Sequence, residues 1–178
     1  MKNKAAPLLT PAEAQAIIDI PKLTVRPMEW IAKKSASNPQ WMEFVSVCRI
    51  ENEIREDLFF RTQFRAAKTQ VIGDSTIEFD AIFNAAITAG GERIFAIDAD
   101  ATQHTNKIGV GRPLYKKALQ GRYHMHTWSD EGYGYAEPID DDLNDIELLV
   151  NYFLPRANLT LINGFVHPLR GVQIELQI

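Results

Sequence analysis

Three of the four histidines, His104, His124 and His126, fall within 23 positions of one another, and Asp98 and Asp100 stand just ahead of them. An H-x-H pair on a strand presents both imidazoles on one face, with Cα atoms roughly 6.5–7 Å apart. That is close enough for the two rings to share a metal ion or a phosphate. His104, His124 and His126 with Asp98 or Asp100 would supply the N/O ligands and the open position of a Zn or Mn centre. The same residues also make sense without a metal. His124 and His126 then form an acid/base pair, Asp98 orients one of them, and Arg122, Arg61 or Arg112 stabilises charge on a phosphoryl group. A structural reading stands beside both, because histidines on a surface strand often serve only as polar groups on a solvated face. Asp80 and Asp100 read as a charge ladder with Arg61 rather than as catalysts.

Other features carry less chemistry. The Gly109-x-Gly111 stretch lacks the third glycine and the βαβ setting of a dinucleotide site. A single cysteine, Cys48, excludes an internal disulfide and a Cys-cluster zinc site, in keeping with a reducing compartment. His167 precedes Pro168 in a turn and is assigned no role. A net charge of −4 argues against nucleic-acid binding through bulk positive charge. No apolar run approaches the roughly 18–20 residues needed to cross a bilayer, and residues 1–11 lack the apolar stretch of a signal peptide. The expectation is a soluble, cytoplasmic protein with no membrane partner.

The elements that must hold these residues are legible as periodic runs. Thr10-Pro11-Ala12-Glu13 opens a helix over 10–20 with a capping box and a proline at its first turn. Residues 44–50 and 58–65 read as strands, and residues 76–88 give the clearest period-two alternation. A strand over 92–100 follows Ala89-Gly90-Gly91. A two-residue turn with regular pairing would put Asp98 opposite Phe83. A three-residue loop instead sets Phe83 against Ile97 and leaves Asp98 on the outer face opposite Ile82, and this register is preferred. It also aligns Arg61, Asp80 and Asp100 across three strands. Residues 101–121 form a long connection, 122–128 a short strand with His124 and His126 on one side, and 129–138 a Gly/Tyr loop. Asp140 caps a second helix over 140–154, stopped by Pro155. Asn163-Gly164 is a hairpin signal, and the alternating tail 172–178 completes the C-terminal strands over 159–178.

These elements predict one domain spanning 1–178: a sheet core over 42–128 in an α+β fold, an antiparallel sheet of about five to seven strands with helices packed on one face. Convergence of His, Asp and Arg on the other face points to a phosphodiester-directed hydrolase, RNase-like, acting as a toxin or in phage conflict. His124, His126, Asp98 and Arg122 are its catalytic candidates, with nucleic acid as substrate. The alternative is a non-enzymatic inhibitor or protein-binding module of a phage or mobile element. Its contact patch for a protein partner would comprise Arg61, Trp128, Tyr133 and Tyr135. The tail strand, if paired with another chain, would make a homodimer.

Overall fold

A computed structural model describes residues 8–34, 36–100 and 103–170. Strands account for 44% of the described residues and helices for 12%. The expected α+β arrangement of five to seven antiparallel strands is therefore replaced by one large curled, mixed sheet of nine strands. The strands are β1 (Lys22–Thr24), β2 (Ile31–Ala32), β3 (Met42–Ile50), β4 (Glu53–Arg65), β5 (Lys68–Ile72), β6 (Ser75–Phe79), β7 (Ile82–Ala89), β8 (Glu92–Ala99), β9 (Tyr123–Ser129), β10 (Gly132–Pro138) and β11 (Leu159–Thr160). Their order in the main sheet is β10-β9-β8-β7-β4-β3-β1-β11, with β2 on β3, while β5 and β6 make a separate hairpin. Pairing is antiparallel except between β1 and β11.

Two kinds of strand escape a periodicity reading. The stretch expected as a Gly/Tyr loop is β10. Gly132 and Gly134 take φ of 111° and 119°, and a bulge between Tyr133 and Tyr135 absorbs the irregularity. At three and two residues, β1 and β11 are too short to show alternation. The long alternating run also divides at Asp80-Ala81 into β6 and β7.

Between β7 and β8 the turn is the two-residue one, correcting the three-residue loop. Ala89 pairs with Glu92 around Gly90 and Gly91, whose φ angles are 57° and 84°, the geometry that matches strand twist in a tight hairpin. A bulge then restores the parity of the apolar residues: Thr88 pairs with Arg93 but Ile87 with Phe95, leaving Ile94 as the extra residue. Phe83 consequently faces Ala99, and Asp98 faces Asn84. The row predicted from Arg61 through Asp80 to Asp100 does not form. Arg61 binds Glu43, and Asp80 pairs with Arg122 at 2.9 Å.

One face of the sheet is aromatic. Phe60, Ile87 and Phe95 are paired across β4, β7 and β8, and Phe153 packs on both phenylalanines with ring centres 5.7 and 5.1 Å away. Phe153 belongs to α2 (Ile146–Arg156), which buries Ile146, Leu149, Val150 and Phe153. This helix starts later than 140: its cap is Asp145, whose carboxylate accepts from the Glu147 amide at 2.7 Å, and it runs one residue past Pro155. The first helix, α1 (Pro11–Asp19), has the capping box read from its sequence, with the Thr10 amide donating to Glu13 at 2.8 Å and the Glu13 amide donating to the Thr10 hydroxyl at 3.2 Å. Its C-terminal carbonyls are met by the buried Lys22 ammonium, which donates to Ile17, Ile18 and Ile20.

The two ends of the described chain are joined at β1. The Lys22 amide donates to the Asn158 carbonyl at 2.8 Å, the Ile162 amide to the Thr24 hydroxyl at 3.0 Å, and the Trp30 indole to the Val166 carbonyl at 2.6 Å. Asn163 and Gly164 do turn with positive φ, but no strand directly flanks them among the described residues. The tail 172–178, and any dimer contact through it, lies outside the described residues.

Candidate functional site

The opposite face of the sheet is crossed by a polar row. Register places Glu43, Gln63, Asn84, Asp98 and His124 directly opposite one another on β3, β4, β7, β8 and β9. One step along, Arg61, Ala86, Ala96 and His126 form the neighbouring row. Strand pairing alone thus brings Asp98, His124 and His126 to one face, because residues opposite each other across a ladder project the same way. The two alanines between Arg61 and His126 keep the surface low there.

His104 joins them from the long connection. Residues 103–119 lie against β10, held by buried Asn106, whose side chain accepts from the Ala136 amide at 2.7 Å and donates to the carbonyls of Ala136 at 2.8 Å and Leu114 at 3.2 Å. A second tie is Glu131, which accepts from the amides of Gly109 and Val110 at 3.1 and 3.0 Å and from the Ser129 hydroxyl at 2.8 Å. Those bonds favour the carboxylate and hold Glu131 down to about 2. Gly109 is required for close approach, since a Cβ there would lie 2.3 Å from the Tyr135 ring.

The result is a polar chamber of about 130 Å³ lined by Asp98, Asp100, Gln103, His104, His124 and His126. His126 Nε2 stands 3.2 Å from Asp98 Oδ2. The His104 ring centre is 4.9 Å from that of His126 and 6.1 Å from that of His124, and the latter two are 6.5 Å apart. His124 is only 2% exposed. Burial, and then the neighbouring imidazoles, push His104 and His124 below the ordinary histidine range. Three buried atoms here have no hydrogen-bond partner among the described residues: Asp98 Oδ1, His104 Nε2 and His124 Nε2. As the side chains stand, no three His, Cys, Asp or Glu residues among those described have the geometry of a metal centre.

Beside the chamber, and sharing Gln103 and His104 with it, runs an open cleft of about 510 Å³ that adds Thr105, Lys107, Ile108, Tyr133 and Gly134. The Tyr133 ring stacks on His126 at 6.2 Å, and the Arg93 guanidinium lies 5.8 Å from its centre.

The sequence-derived candidates therefore divide. Asp98, Asp100, His104, His124 and His126 come together, and Tyr133 lines the adjoining cleft. Arg122 does not line the chamber, because its guanidinium is engaged by Asp80 and the Ala81 carbonyl. Arg61 is held by Glu43, and Arg112 by the Trp128 carbonyl. Trp128 and Tyr135 are buried at 5% and 1% exposure, which removes them from any contact patch. Gln103 and Lys107 were missed: the signal was their nearness to His104 in sequence, but nothing in a connection without periodicity told which side chains face the site.

No protein-family model matches the chain, and no solved structure is significantly similar to it.

Proposed function

We propose that the chamber is the active site of a phosphodiester-directed hydrolase, RNase-like, acting in the cytoplasm as a toxin or in phage conflict. The observation that carries this reading is the pairing of His126 with Asp98 beside the unpartnered atoms of His104, His124 and Asp98 at the inner side of a cleft. Native proteins satisfy most buried polar atoms, so a cluster of orphans marks a place where something else binds. A water placed there is the attacking nucleophile. His126, oriented by Asp98, takes the water proton as the new P–O bond forms and returns a proton to the leaving oxygen as the old bond breaks. In the cleft, Lys107 meets phosphate charge, and Tyr133 lines the wall beside His126. That no described helix is long and apolar enough to cross a membrane accords with this reading.

The test is cleavage of single-stranded RNA and DNA by the purified chain, with His126→Gln as control. Cleavage that falls about 100-fold or more in the variant supports the reading. Absence of cleavage, or equal cleavage by both proteins, overturns it.

A second reading has its own observation. The β5–β6 hairpin stands apart from the main sheet and exposes Val71, Ile72, Ile77 and Phe79, with Val71 at 70%. Such a projection suits a non-enzymatic inhibitor or protein-binding module. An inert protein whose binding to a cellular partner is lost on Val71→Asp would favour it.

A further inference from the structure

We propose that the chamber binds one divalent first-row transition ion, in hydrolysis most simply Zn²⁺, through His104 Nε2, His124 Nε2 and Asp98 Oδ1. His126 then serves as the group that fixes the other oxygen of Asp98. The proposal deepens the hydrolase reading by naming what holds the attacking water; it rests on that reading for its purpose and on the geometry below for its existence.

The three named atoms are the unpartnered ones of the chamber, one from each of β8, β9 and the 103–119 connection. Two are imidazole nitrogens and one is a carboxylate oxygen, a donor set that suits first-row divalent ions and leaves positions open for water and substrate. Charge points the same way. Two carboxylates, Asp98 and Asp100, line the chamber, and among the described residues no Lys or Arg does. The arginines that sequence placed here are committed elsewhere, Arg122 to Asp80, Arg61 to Glu43 and Arg112 to the Trp128 carbonyl. A phosphate entering such a site meets negative charge unless a cation precedes it.

The support around the ligands is already built. Asp98 Oδ2 is held by His126 at 3.2 Å, leaving Oδ1 as its unpartnered oxygen, the kind of outer contact that orients a metal ligand. Two imidazoles bound to one ion at Zn–N distances of about 2.0–2.1 Å place their ring centres about 5 Å apart. His104 and His124 stand at 6.1 Å, so the site closes by about 1 Å on loading.

The experiment titrates chelator-stripped full-length protein with Zn²⁺ by calorimetry and with Co²⁺ by visible absorption. One ion per chain is expected, with a rise in melting temperature on adding Zn²⁺. His104→Gln and Asp98→Asn should abolish both effects, His126→Gln should weaken binding by about 10–100-fold, and Gln63→Ala should leave it unchanged. Circular dichroism checks that each variant folds. His104→Gln, in a connection rather than a strand, carries the test if Asp98→Asn does not. No stoichiometric binding, or binding undiminished in His104→Gln and Asp98→Asn, overturns the proposal. Binding without cleavage of any nucleic acid upholds the ion site and sinks the hydrolase reading. Chelator-insensitive cleavage by a protein that binds no ion does the reverse.

Discussion

The polar row across the sheet has two halves that differ in one respect. At the β3–β4 end, Glu43 Oε2 accepts from Arg61 Nε at 2.6 Å and from Gln63 Nε2 at 3.0 Å, and Lys33 stands 3.6 Å away. At the β8–β9 end, Asp98 keeps one oxygen without a partner, and His104 and His124 each keep a buried nitrogen without one. Both halves lie on the same face of the same sheet and both contain carboxylates. Polarity on a sheet face therefore does not distinguish a structural ladder from a site. The halves differ in whether the groups satisfy one another, and unmet hydrogen-bonding capacity in a buried place costs stability unless water or a ligand meets it.

The sharpest way to break this comparison is to remove the unmet groups and watch activity. In the hydrolase reading, His104→Gln and His124→Gln each lower cleavage by about 100-fold or more, whereas Glu43→Ala leaves it within about 2-fold. Equal losses at both ends, measured under the same conditions, would make the whole row one functional unit. Next in size is the stability of the satisfied half. Glu43→Ala strands Arg61 and Gln63 and should cost about 1–2 kcal/mol in urea unfolding, a figure already reduced for partial solvent exposure. No loss there would mean that solvent replaces those bonds freely. The converse substitution sharpens the contrast: in chelator, His124→Leu should raise stability by about 1 kcal/mol by removing an orphaned nitrogen from a buried place. A fall in stability would show that His124 is satisfied in solution.

The smallest expected effect is local and concerns the tie that carries His104. Glu131 titrates at about 2 in the fold and near its ordinary 4.5 when the chain is unfolded. As pH falls the unfolded chain takes the proton first, so the contribution of Glu131 is whole above about 4.5 and is lost on the way down to about 2. Amide exchange at Gly109 and Val110 should accelerate in that window in wild type, after correction for intrinsic rates, and be fast throughout in Glu131→Ala. A pH-independent protection factor in wild type would show that Asn106 alone holds the connection.

The grouping of the chamber's strand residues was legible because alternation carries facing information. His124 and His126 two apart on a strand, and Asp98 in the outward set of its own strand, were enough to place them together. The register was reached by a wrong route: sequence can show that apolar residues must share a face, but a longer loop and a tight turn with a bulge both achieve it. The architecture was less legible. Gly132 and Gly134 read as loop because glycine seldom serves strand interiors, yet here they sit beside a bulge. Asp140 and Asp145 are equally good caps by residue type, and only packing of Ile146 into the core chooses between them. Arg122 was misassigned because parity gives the side from which a side chain departs; a long guanidinium finds its own partner.

The parallel pairing of β1 with β11 sets an order of events during synthesis. Trp30 bonds to Val166, 136 positions later, and Lys22 and Thr24 wait for Asn158 and Ile162. At about 5–20 residues per second, roughly 7–27 s pass between translation of Trp30 and of its partner. Through that interval the β1 edge of the sheet has no finished neighbour, and a chain arrested before position 158 carries the whole His and Asp set on a sheet still open at one side. Ribosome-arrested chains of increasing length should resist protease only once residues near 166 have cleared the exit tunnel.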